Sequence, residues 1–140
     1  MPGSPPGGSN LALGKSAVTS SIEGPGFEAS KAFDGNPSTR WASAEYVDPQ
    51  WIYVNLGSSR SINRVRLNWE AAYAKTFKIQ ISNDSGTPVN WTDVYSTSNG
   101  SGGIENITFA AQNAKYVRMY GTTRGTPYGY SLYEFEVYGP

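Results

Sequence analysis

Short stretches of alternating apolar and polar residues recur along this 140-residue chain, and they restrict its fold more than any other feature. In residues 62–70, Val65, Leu67 and Trp69 face one way while Arg64, Arg66, Asn68 and Glu70 face the other. In 76–82 the apolar set is Phe77, Ile79 and Ile81, opposite Lys78 and Gln80. Val117 and Met119 alternate with Tyr116, Arg118 and Tyr120, and Tyr133, Phe135 and Val137 alternate with Glu134, Glu136 and Tyr138. Successive side chains of a strand point to opposite faces, so each stretch predicts a strand with one buried face. Residues 51–56, 91–95 and 104–109 add three more. Turn-forming groups such as Asp48-Pro49, Gly57-Ser58-Ser59 and Asn83-Asp84-Ser85-Gly86 separate them. Seven or eight short strands with such breaks predict an all-β fold, an antiparallel sandwich with hardly any helix. Trp41, Trp51 and Trp69, in or beside strands, are expected in its core.

Residues 1–9 (Met-Pro-Gly-Ser-Pro-Pro-Gly-Gly-Ser) have the composition of an inter-domain linker and are expected to be disordered, leaving 10–140 as one module. Residues 21–48 are long, polar and weakly periodic, so something other than a ladder must hold them. Long loops on a rigid sandwich are where binding residues tend to sit.

Composition removes most catalytic classes. The chain has no histidine, which excludes Ser-His and Cys-His nucleophile systems, His-ligated zinc and a histidine general base. It has no cysteine either, so there is no disulfide framework or thiolate metal site. Phosphate-binding glycine fingerprints are missing. Eleven acids leave two-carboxylate glycoside hydrolysis formally open, but no second signal supports it. The formal net charge of zero gives nucleic-acid binding no electrostatic basis. The longest apolar run falls far short of a membrane span.

The segment Lys31-Ala32-Phe33-Asp34-Gly35-Asn36-Pro37-Ser38-Thr39-Arg40-Trp41 reads as a tight, oxygen-rich loop. Asp34 offers a carboxylate and Thr39 a hydroxyl, and Gly35 with Pro37 lets carbonyls turn inward. That is the donor chemistry of calcium. An Asx-turn closed by Asp34 with no metal explains the same residues.

Five motifs in register resemble the discoidin, or coagulation factor 5/8 type C, family. They are Ala32-Phe-Asp-Gly-Asn-x-x-Thr-x-Trp41, Trp51-Ile-Tyr-Val-Asn-Leu-Gly57, Phe77-Lys-Ile-Gln-Ile-Ser82, Tyr116-Val-Arg-Met-Tyr-Gly121 and Ser131-Leu-Tyr-Glu-Phe-Glu-Val-Tyr-Gly139. Within that family the chain is most similar to the family 32 carbohydrate-binding modules. The resemblance implies a jelly-roll β-sandwich with a structural calcium ion. It assigns the ion to the carbonyls of Lys31, Asn36 and Tyr133, the carboxylates of Asp34 and Glu134, and both oxygens of Thr39.

The resemblance further implies sugar binding by the loops at one end of the sandwich, in a non-catalytic module tethered to a secreted glycoside hydrolase. Candidates there are Glu23, Arg40, Glu45, Tyr46, Glu70, Tyr128 and Tyr130, with Tyr73 and Arg124 beside them. Family modules that bind galactose often use a histidine, which this chain lacks. Residues 21–50 hold five acids and two bases, whereas the remainder holds six acids and nine bases. Carboxylates beside aromatic rings suit a sugar that carries an ammonium group, since charge-assisted hydrogen bonds are the stronger kind. Glucosamine oligomers, that is chitosan, are therefore the expected ligand. Neutral galactoside or β-glucan binding, or a cell-surface adhesion role, are the alternatives. Acidic loops without a basic apolar spike disfavour anionic membrane.

Overall fold

The computed structural model describes residues 9–140, so the expected linker, apart from Ser9, lies outside the described residues. About half of the chain is strand and 3% is helix, in an antiparallel β-sandwich. The strands are β1 (Ala17–Thr19), β2 (Trp41–Ala42), β3 (Gln50–Trp69), β4 (Ala74–Ser82), β5 (Thr92–Thr97), β6 (Ile104–Arg124) and β7 (Ser131–Tyr138). They hydrogen-bond in the order β2-β7-β3-β6-β4-β5, with β1 on the free flank of β3.

Two of these strands are far longer than the alternation alone suggests. Residues 51–56 and 62–70, expected as separate strands, belong almost wholly to the single strand β3. Likewise 104–109 and 116–120 both belong to β6. The two pair with each other along most of their length, with register shifts between Asn55 and Arg60 and between Ile62 and Arg64. Such shifts bend a ladder. Residues 50–55 of β3 pair with β1 and with 116–121 of β6, while residues 64–69 pair with β7 and with 104–108 of β6. Each long strand thus serves both layers. The apolar faces enclose one core, in which Phe33, Trp41, Leu67, Phe77, Met119 and Phe135 are at most 1% exposed.

Two expectations about facing fail. Trp51 is not in the core: it lies half-buried on the outer face, its ring stacked 5.6 Å from Tyr53. Ile52, Val54 and Leu56 take the inward positions of that strand. Trp51, Trp91 and Tyr120 instead surround the guanidinium of Arg118, which sits 4.2 Å from the Trp91 ring. Tyr133 is also not inward. The β3–β7 register passes from Asn68↔Glu134 to Trp69↔Leu132, so Tyr133 is skipped and Leu132 is buried in its stead.

The weakly periodic 21–48 segment is held by packing rather than by a ladder. A short 3-10 turn, Ala29–Ala32, buries Ala29 and Ala32, and Phe33 packs its ring 5.2 Å from Phe135. The Trp41 indole N–H donates to the Ser21 carbonyl at 3.1 Å. At the other end of the module, Asn10 Oδ1 accepts the N–H of Val137 at 3.0 Å, which joins the start of the described chain to β7.

Candidate functional site

Four chain segments meet at one end of the sandwich around a cavity of about 170 Å³. It brings together Glu23 from the β1–β2 connection, Arg40 and Ser43 flanking β2, and Glu45 from the loop before β3. Glu70 and Ala72 come from the β3–β4 turn, and Tyr128, Tyr130 and Ser131 from the approach to β7. Backbone bonds fix these segments. The Glu23 N–H donates to Ala42 O at 2.7 Å, Glu70 N–H to Ser131 O at 2.9 Å and Ser131 N–H to Ala72 O at 2.8 Å.

The charged groups divide into committed and free. Arg40 Nη1 donates to Ser131 Oγ at 2.7 Å and lies 3.7 Å from Glu70 Oε1, and the guanidinium sits 4.6 Å from the centroid of the Phe27 ring. Glu70 Oε1 also accepts the N–H of Ala72 at 3.0 Å. Glu23 and Glu45 are exposed, and their carboxylates accept no hydrogen bond among the described residues. Three carboxylates face one guanidinium, so the pocket is net negative, with two carboxylates available to a ligand. A pocket of this size is below the roughly 300–1,000 Å³ typical of drug-sized ligands and suits a single ring.

The aromatic candidates separate. Tyr128 lines the cavity and is 54% exposed, so its ring face is available. Tyr130 also backs the cavity but is 0% exposed, which removes it as a stacking platform. Its ring occupies the space left by Gly121, where a Cβ would stand 2.4 Å from the ring. Tyr46 is 64% exposed and does not line the cavity. Arg124 and Tyr73 also lie outside the lining. Arg124 Nε bonds Asp48 Oδ2 at 3.1 Å, and Tyr73 is half-buried against the core.

A second cluster joins the 31–39 loop to β7. Asp34 Oδ1 accepts the N–H of Asn36 at 3.0 Å, which is the Asx-turn read from the sequence. Thr39 Oγ1 lies 2.5 Å from Asp34 Oδ2, 3.1 Å from Asn36 O and 3.5 Å from Lys31 O, so four oxygen-bearing groups converge. Burial opposes ionisation of Asp34, but the hydrogen bonds from Thr39 and Asn36 outweigh it and hold its carboxyl below the usual range. Glu134 is buried, and its Oε1 has no hydrogen-bond partner. Burial first, then the hydrogen bond and charge of Asp34 and the charge of Glu136, push its carboxyl up to about 8.

Two carboxyl groups pressed together, one with an orphaned buried oxygen, fit a hard cation. No group of three or more Asp, Glu, His or Cys able to hold a metal occurs among the described residues. Any ion here would therefore depend on carbonyls and on Thr39. Tyr133, beside Glu134, is skipped in the β3–β7 register.

Sequence reasoning missed Ser131, Ala72 and Asp48. Asp48 was visible as half of a turn dipeptide and as one of the five acids of residues 21–50, not as a brace.

Chitosan-binding module 1 of a chitosanase/glucanase from Paenibacillus sp. IK-5 is 73% identical, with a TM-score of 0.93 over 94% of this chain and 99% of that one. Chitosan-binding module 2 of the same enzyme, solved in complex with chitotriose, is 67% identical, with a TM-score of 0.92 over 93% of this chain and 100% of that one. The polysaccharide lyase 8 family protein HylA of Enterococcus faecalis is 30% identical over 92% of this chain, which spans only 10% of that protein. With residues 16–135 matching the F5/8 type C domain, the chain belongs to that family.

Proposed function

We propose that this chain is a non-catalytic module that binds glucosamine oligomers, seating one sugar ring in the Glu23–Arg40–Glu45–Glu70–Tyr128 pocket. The observation that carries this reading is the imbalance of three carboxylates against one guanidinium in a cavity sized for one ring. An ammonium group answers the free carboxylates of Glu23 and Glu45, and the Tyr128 face meets the C–H surface of the sugar. The similar Paenibacillus modules, described as chitosan-binding, support the same ligand.

The module's natural setting is a secreted polysaccharide-degrading enzyme, in which it holds a catalytic domain near its substrate. Calcium is proposed as its structural ion, held by Asp34, Glu134 and Thr39 and by the carbonyls of Lys31, Asn36 and Tyr133. The unpartnered Glu134 Oε1 supports that assignment.

Titration with the β-1,4-linked glucosamine trimer and its N-acetylated counterpart tests the ligand. The amino form is expected to bind more tightly, with affinity falling as salt rises. Equal affinity for both trimers would refute the charge argument and favour a neutral-glycan module.

A further inference from the structure

Asp48 does not line the pocket, yet it joins the two loops that form one of its walls. Its Oδ1 accepts the hydroxyl of Tyr130, and its Oδ2 accepts Nε of Arg124 at 3.1 Å. Those partners stand on either side of the 125–129 loop, which carries Tyr128. Arg124 extends the clasp, with Nη1 donating to Pro127 O at 3.0 Å. One carboxylate on the loop of Glu45 thus receives a bond from each end of the loop of Tyr128.

The two loops are also joined along their length. Ser43 N–H donates to Tyr130 O at 2.8 Å, Tyr130 N–H to Ser43 Oγ at 3.0 Å and Tyr46 N–H to Tyr128 O at 2.6 Å. The fit leaves no slack: a Cβ on Gly129 would stand 2.8 Å from Ser43 Oγ. Glu45 sits between the Ser43 and Tyr46 attachments. Tyr46 adopts φ 67°, a left-handed conformation that a non-glycine residue keeps only when its surroundings over-determine it. Asp48 lies two residues beyond Tyr46, and its bonds hold that end of the loop.

We propose that Asp48 is a positioning residue for the sugar site, setting through Tyr130 and Arg124 where Glu45 stands relative to Tyr128. This rests on the pocket being the glycan site. It adds a residue that touches no ligand and whose removal degrades recognition by moving one that does. A carboxylate accepts from both partners at once. An asparagine keeps one neutral acceptor for Arg124 and meets Tyr130 only by donating to its hydroxyl oxygen, so both charge-assisted bonds are lost.

The test is a double-mutant cycle read by calorimetric titration with the glucosamine trimer, with thermal unfolding measured on every variant. In the wild-type background Glu45→Gln is expected to weaken binding about tenfold. Asp48→Asn is expected to weaken it several-fold while unfolding well above the assay temperature. In the Asp48→Asn background the further loss from Glu45→Gln should shrink to under about threefold, because a misplaced carboxylate has less to lose. A residue that merely stabilises the fold would lower the melting temperature and leave the two losses multiplicative. If Asp48→Asn does not fold, Tyr130→Phe, which removes one donor and keeps the ring, takes its place in the cycle. Multiplicative losses, or wild-type affinity in both Asp48→Asn and Tyr130→Phe, would overturn the inference while leaving the proposed function intact. Failure of the wild-type protein to bind the trimer would overturn both.

Discussion

Arg40 reaches across 91 residues of sequence to donate from Nη1 to Ser131 Oγ at 2.7 Å, and in doing so it closes one side of the acidic cavity. Thr39, immediately before it, belongs to the oxygen cluster around Asp34, and Ser131 lies three residues before Glu134. The polar loop and β7 are therefore tied twice, once by a neutral acceptor and once by a carboxyl pair. Arg40→Ala removes a hydrogen bond, a half-exposed ion pair and the contact with Phe27 together. It should destabilise the fold by about 1–2 kcal/mol, most of it from the hydrogen bond and the ring contact. Arg40→Lys should recover little, because an ammonium cannot lie flat on the ring while reaching Ser131. Chemical denaturation of the three proteins measures both.

Glu23→Gln and Glu45→Gln should each weaken the glucosamine trimer by about tenfold, since each removes a charge-assisted bond to the bound ammonium. The N-acetylated trimer carries no cation, so both substitutions should leave its affinity unchanged. Affinity for the amino trimer should also fall as pH rises past the sugar's own pKa, since the ligand then loses its charge. Calorimetry with both trimers at two ionic strengths checks these outcomes.

Much of this was legible in the sequence, for identifiable reasons. Alternation fixes which face of a strand is buried wherever the ladder is regular, so Val65, Leu67, Phe77, Ile79, Val117 and Met119 face inward as expected. The reading fails where the ladder is not regular. A skipped residue at Tyr133 exchanges inward and outward positions, and nothing in the side chains announces it. Trp51 misleads because a large apolar ring normally implies the core, whereas here Arg118 and Tyr53 give it company on the outer face. The acids of the pocket were visible as an excess of charge in one segment, joined by Glu70. Whether Tyr130 would be buried was open from the sequence, because its burial depends on Gly121, nine residues away on β6. Asp48 was missed because a brace between loops leaves no local pattern.

Asp84 offers a test that involves neither site. Its carboxylate accepts the N–H groups of Val89 at 2.6 Å and Asn90 at 2.9 Å, and those bonds pull its pKa down to about 2. It closes the 83–91 loop, which Tyr116 also holds by donating its hydroxyl to Gly86 O at 2.9 Å. A carboxyl with a lower pKa folded than unfolded adds stability that is fully present above the unfolded value of about 3.9. That stability is lost as pH falls through about 2. Asp84→Asn should therefore melt below wild type by a constant margin near neutrality. The margin should narrow below about pH 4 and close near pH 2, where melting curves across that range would show the two proteins converge.

Glu134 gives the sharpest test of the calcium assignment, because its substitution should change sign with the metal. Without an ion, a buried carboxyl with an unpartnered oxygen faces Asp34 at close quarters, an arrangement that burial and like charge both disfavour. Glu134→Gln replaces a carboxyl that must take up a proton before it can donate to Asp34 with an amide that donates at any pH, so the variant should melt at or above the wild-type temperature in chelator. With calcium in excess the same change removes a charged ligand. Ion binding to the native state adds stability as RT ln(1 + [L]/Kd), so losing affinity lowers the melting temperature relative to wild type. Asp34→Ala should destabilise in both conditions, because it also removes the acceptor that closes the Asn36 turn and receives Thr39. Differential scanning calorimetry of the three proteins, with chelator and then with calcium, reads both signs. If Glu134→Gln melts below wild type by the same margin in both media, the cluster is a metal-free turn and the calcium assignment is wrong.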